Sequence, residues 1–134
     1  MMGGDKRFME QLEILKNFLA GFDGLSPAID MTSPEPGSCG LFPQGTEEIS
    51  RREDVLGNVT CRLRQTYLLR RVDIRGEMGA SFMLRLCQWA QDQPAPELGE
   101  NTRIRWEKGR LVSVSQTGTA TYEMKIITEY DKEL

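Results

Sequence analysis

The chain has 134 residues, with 17 basic and 20 acidic side chains, a formal net charge of −3, three cysteines and no histidine. That length suits one domain with a real core, since a chain of this size removes roughly two thirds of its unfolded surface from water. Mixed, nearly balanced charge argues against a polyanion partner, the missing histidine removes the commonest proton carrier and metal ligand, and three cysteines without a C-x-x-C pair argue against a disulfide framework or zinc site.

Cys39, Cys61 and Cys87 therefore read as reduced, small apolar residues. The opening Met1–Arg7 leads into a segment broken by charge every few residues, with neither a signal-peptide core nor about 20 consecutive apolar residues. A soluble protein not exported by its own signal is expected, with residues 1–4 disordered.

From Asp5 to Phe22, Phe8, Leu12, Leu15 and Leu19 recur at helical spacing, flanked by Met9, Ile14 and Phe18. Asp5 can cap this helix and Gly21 or Gly24 can end it. Residues 23–46 hold four of the six prolines, which predicts a long surface connection with at most short strands near 28–31 and 39–42. Such a loop is either functional or an inert connection.

Two strand-like arms follow, Glu47–Val55 and Val59–Ile74, joined at Gly57-Asn58, a pair suited to a tight primed turn. In the second arm Val59, Cys61, Leu63, Tyr67 and Leu69 share one parity and Thr60, Arg62, Arg64, Thr66 and Arg70 the other, with Gln65 and Leu68 breaking the pattern. An arm of this length is expected to project beyond the sheet or bend. Glu77–Gln93 returns to helical spacing through Met78, Phe82, Leu86, Trp89 and Gln93, with Met83 and Ala90 beside them, and Pro94 and Pro96 stop it. Its methionines and tryptophan read as core filling rather than a cofactor box. Lys108-Gly109 and Thr117-Gly118 then divide the last third into three short strands, a terminal meander. The order helix, loop, hairpin, helix, hairpin, strand predicts an α+β domain over residues 1–134: an antiparallel sheet of about four to six strands with two helices on one face.

Glu47-Glu48 with Glu53-Asp54 form an acidic cluster that could suggest paired carboxylates or a divalent cation site. Adjacent strand residues point to opposite faces, so these pairs do not converge for acid–base work, and interleaving with Arg51-Arg52 makes a charge-paired strand edge the better reading. Gly76-Glu77-Met78-Gly79 lacks the lysine and spacing of a phosphate loop, and Ser113 and Ser115 have no histidine to activate them. No catalytic residue, metal or cofactor is expected. The arginines Arg51, Arg52, Arg62, Arg64, Arg70, Arg71 and Arg75 crowd the hairpin. Arg62, Arg64 and Arg70 can meet an acidic protein surface from one face; a merely solvated face comes next, and a nucleic-acid groove last, because only Tyr67 is near for stacking.

The stretches S-R-R-E-D-V-L-G-N-V and T-Y-L-L-R-R-V, the tryptophan helix L-C-Q-W-A-Q-D-Q, and W-E-K-G-R-L followed by T-G-T-A-T-Y-E-M-K-I resemble small proteins of contractile tail modules. These belong to phages of Gram-positive bacteria and their tailocin relatives, and the resemblance runs from about Met9 to Tyr130. It departs from the family's pattern in the proline-rich loop and the three cysteines. By fold analogy the family is similar to tail terminator or tail-completion proteins, which ring the head-proximal end of the tail tube.

The resemblance implies a non-enzymatic structural protein of the virion tail, present in host cytoplasm during assembly. Its partners would be itself, as a six-fold ring, with tail tube, sheath and neck or connector proteins. DNA could pass the lumen without sequence-specific contact, and no membrane is implied. A neck connector or a monomeric binding module are the alternatives. Candidate interface residues are Arg51, Arg52, Glu53, Asp54, Arg62, Arg64, Arg70 and Arg71, and charge reversal at Arg62 and Arg64 is expected to weaken assembly while the domain still folds.

Overall fold

The structure, a computed structural model, describes residues 2–32, 35–74, 78–99 and 101–134. Arg75 and the expected start of the second helix at Glu77 lie outside these residues, as do the side chains of Phe8 and Met78. Two helices, α1 (Met2–Leu19) and α2 (Met78–Asp92), pack on one face of a six-stranded sheet of β1 (Ala28–Ile29), β2 (Cys39–Glu53), β3 (Val59–Ile74), β4 (Arg103–Trp106), β5 (Arg110–Val114) and β6 (Thr119–Glu133). The fold is α+β. The sheet is mixed: β1 runs parallel to β2, and every other pairing is antiparallel.

Period-2 burial makes the sheet's inner face. Tyr67 and Leu69 of β3 lie opposite Ile126 and Met124 of β6, and all four are fully buried beneath Leu12, Leu15 and Leu19 of α1 and Met83, Leu86 and Ala90 of α2. Burial of an aliphatic or methionine side chain contributes about 1.5–3 kcal/mol, so this layer dominates the fold's stability. The line of α2 nearest the sheet is therefore Met83, Leu86, Cys87 and Ala90, while Phe82 and Trp89 flank it and Gln93 is exposed. Phe18 bridges the helices and the sheet, 5.1 Å from the ring of Trp89 and 5.4 Å from that of Trp106.

Gln65 does not leave the strand's parity; it is buried on the inner face within a polar group that the sequence reading missed. The Tyr67 hydroxyl donates to Gln11 Oε1 at 2.5 Å, and the Gln65 amide stands 3.2 Å from the same hydroxyl. One hydroxyl carries one proton, already given to Gln11. The Gln65 atom at 3.2 Å is its Oε1, the more distant of the two acceptors, and its Nε2 is buried with no hydrogen-bond partner among the described residues. Gln11 in turn donates to the Leu98 carbonyl at 3.5 Å, which ties α1 to the loop after α2.

Four expectations change. Helix α1 opens at Met2, ahead of Asp5 and within the stretch expected to be disordered. The connection expected over 23–46 ends early, because β2 already begins at Cys39 and runs through Pro43. It accommodates proline with a bulge between Pro43 and Gly45, and Gly45 takes a φ of 139°. Of the terminal meander the three strands and the β5–β6 hairpin at Thr117-Gly118 form, but β4 and β5 do not pair with each other and lie end to end along one edge of the 15-residue β6. Gly109 marks a kink between them rather than a turn: a Cβ there would stand 2.7 Å from Met83 Cβ, so only glycine lets α2 approach.

The hairpin turn is also not the tight two-residue type. Asp54 N–H donates to the Asn58 carbonyl and Gly57 N–H to the Asp54 carbonyl, which leaves Val55, Leu56 and Gly57 as a three-residue loop with Gly57 at φ 87°. The Asp54 carboxylate organises it, accepting from Leu56 N–H at 2.8 Å, Asn58 N–H at 3.0 Å and the Asn58 side-chain amide at 3.0 Å.

Candidate functional site

The helices cover only the inner face. The outer face of β2, β3 and β6 is a lattice of ion pairs set by register: Arg62 lies opposite Asp131, Arg64 opposite Glu129 and Arg70 opposite Glu123. Opposite charges facing across an antiparallel pair attract, so this alternation reinforces the register.

Glu129 is the hub. Its carboxylate meets Arg62 Nε at 3.4 Å, an Arg64 guanidinium nitrogen at 3.2 Å and Arg105 at 4.0 Å, while Arg64 also reaches Glu47 at 3.3 Å and Arg62 reaches Asp131 at 3.2 Å. Arg70 gives two N–H groups to a single oxygen of Glu123, at 2.8 and 2.5 Å, and its guanidinium lies 4.8 Å over the Phe42 ring. Leu68, opposite Phe42 of β2, and Ile127, opposite Thr66 of β3, are buried on this same face.

The eight candidate residues divide into three groups. Arg62, Arg64 and Arg70 share the outer face, with Arg52 reaching Asp131 at 3.9 Å. Arg71 points the other way. Its guanidinium sits 3.9 Å over the Phe82 ring of α2 and pairs with Asp73 at 3.2 Å, so it clamps helix to sheet. Arg51 also departs from the outer face, bonding Glu48 at 2.7 Å, while Glu53 ends β2 opposite Val59 and Asp54 closes the turn that follows. The carboxylates that meet the arginines lie on a strand some 60 residues downstream, beyond any local pattern.

Because Arg62 and Arg64 hold Glu129 and Asp131, reversing their charge strips the fold of its own ion pairs as well as any partner contact. Assembly and folding cannot be separated by that substitution.

All three cysteines are free thiols. Cys61 donates to Glu48 Oε1 at 2.8 Å; this bond, with burial, pushes its titration up, and the same bond with Arg51 holds Glu48 below the usual carboxylate range. Burial pushes Cys39 up against the opposing hydrogen bond from Arg71, and burial likewise raises Cys87 against the charge of Lys108. Thiols held protonated are weak nucleophiles.

Asp54 is held below the usual aspartate range, first by the Asn58 side-chain amide and then by the backbone N–H groups of Asn58 and Leu56. A depressed carboxylate stabilises the folded turn fully above the ordinary aspartate pKa of about 3.9, and loses that contribution as pH falls from there through its lowered value. Amide exchange at Leu56 and Asn58 is therefore expected to be pH-independent in protection from neutrality down to about 5 and to lose protection only in stronger acid. Asp54→Asn should show the weakened protection at every pH; equal protection in the variant would contradict the clamp.

Two sheet edges are open among the described residues. Strand β2 pairs with β1 only at Gly40 and Leu41, leaving its outer edge bare from Phe42 to Glu53. On the opposite side, β5 pairs only with β6, and Leu111, Val112 and Val114 are 53%, 45% and 44% exposed. No helix among the described residues is long and apolar enough to cross a membrane. No protein-family model matches the chain, and no curated protein matches it.

Proposed function

We propose that this chain is a structural subunit that joins copies of itself into a closed ring, and that the ring is a tail terminator of a contractile phage tail or tailocin. It would sit at the head-proximal end of the tail, meet the last tube and sheath subunits, and cap their polymerisation. The observation that carries the reading is the pair of different, uncovered edges on opposite sides of one sheet, β2 and β5. Two unlike surfaces on one subunit generate head-to-tail contacts, which close into a ring when the rotation per step divides a full turn. The sequence resemblance supplies the tail; the edges supply the ring logic.

The chemistry of the described residues is in keeping with a non-catalytic role, since the thiols are held protonated and the carboxylates of the outer face are engaged by arginines. The same edges also serve a neck connector. Polymerising tail-tube protein in the presence of this chain separates the two: a terminator shortens the tubes and copurifies with tube and sheath proteins, whereas a connector leaves tube length unchanged and copurifies with portal or adaptor proteins. Tubes of unaltered length with no bound chain would overturn the terminator reading.

A further inference from the structure

The β2–β3 turn carries its two apolar residues outward. Val55 is 102% and Leu56 83% exposed, and they follow the acidic Glu53 and Asp54. Asp54 fixes their presentation through its three hydrogen bonds, so the tip is a formed feature rather than a slack end.

At the other end of the sheet, where β5 kinks away from β4, a cleft of about 350 Å³ opens between α2 and the sheet. Its walls include Met83, Leu84, Cys87 and Leu111, and Lys108 and Arg110 add positive charge. Leu84 and Leu111 are more than half exposed, so the cleft presents apolar surface to solvent. A cleft of this size is at the small end of those that take an apolar ligand group.

We infer that the Val55-Leu56 tip of one copy seats in the α2–β5 cleft of the next, with Glu53 and Asp54 facing Lys108 and Arg110. The two features match in chemistry: an apolar pair behind carboxylates meets an apolar cleft rimmed by cations. They cannot meet within one chain. The tip extends past Glu133, whereas the cleft lies beside Tyr122, and the intervening length of β6 spans roughly 35 Å at about 3.3 Å per residue. The contact is therefore between copies and joins unlike surfaces. It rests on the self-assembly reading above and names the surfaces that would carry it.

Mixing two variants tests the contact. Leu56→Asp spoils the tip and Leu84→Asp spoils the cleft, both at exposed positions, and circular dichroism checks that each keeps the wild-type fold. Sedimentation over a concentration series is expected to show self-association of the wild-type chain weakened about tenfold or more in each variant alone. An equimolar mixture should regain one-to-one dimers and nothing larger, because only the intact tip of the Leu84 variant and the intact cleft of the Leu56 variant can pair. Wild-type association in both variants, or no dimer in the mixture, overturns this contact and leaves the ring to be built by other surfaces. A wild-type chain that stays monomeric to millimolar concentration overturns the self-contact, and tube capping then decides the terminator reading independently.

Discussion

Trp106→Ala is expected to cost about 3–5 kcal/mol, the range for truncating a buried aromatic to alanine. Trp106 is 8% exposed, stacks 5.4 Å from Phe18 of α1, and ends β4 where the edge kinks. Its carbonyl faces the Gln91 amide at 3.5 Å and the Cys87 thiol at 4.0 Å, so strand, both helices and kink converge on it. Because domains of this kind are stable by only about 5–15 kcal/mol, the variant should be marginal. Urea unfolding should show a much lower midpoint at an unchanged slope. Trp106→Phe keeps the contact with Phe18 and should lose well under half as much. A loss below about 1 kcal/mol for the alanine variant would mean that Phe18 and α1 are not anchored there.

Glu129→Lys should destabilise by about 2 kcal/mol at low ionic strength, with the loss shrinking as salt is added. The substitution sets a cation against Arg62, Arg64 and Arg105, replacing three attractions by three repulsions. The side chains of Arg62 and Arg64 remain 28% and 32% exposed, so each pair has the modest worth of a surface contact, and the effect comes from three acting together. Glu129→Gln removes attraction without adding repulsion and should cost less than half as much. Thermal melts of the three proteins at low and high salt check the ordering. A salt-independent loss would point to packing around Glu129 rather than to charge.

Some of this architecture is written locally and some is not. Strand β3 runs from Val59 to Ile74 as its alternation predicts, and the placing of Arg62, Arg64 and Arg70 on one face follows from parity alone. What parity cannot supply is the identity of the strand that lies opposite, so the carboxylates of β6 that meet those arginines were out of reach. Arg71 has the inner-face parity, and the packing of α2, which local pattern does not show, explains a guanidinium there, over Phe82.

Glycine misled twice. Gly57-Asn58 has the composition of a primed turn, but the Asp54 carboxylate three residues earlier captures the neighbouring N–H groups and selects a longer loop. Gly109 resembles a turn signal and instead serves the close approach of Met83, a demand made by a helix far away in the chain. Gln11 gave no signal beyond its place on the apolar stripe of α1, where a buried polar residue has meaning only beside Tyr67 and Gln65.

The most direct measurement of the proposed role is electron cryomicroscopy of tail tubes assembled with this chain. The account predicts a closed ring of identical subunits at one end of each tube, with the β2–β3 tip of every subunit lodged against α2 and β5 of its neighbour. A single copy bound at the tube end, or rings found only at a portal, would contradict it.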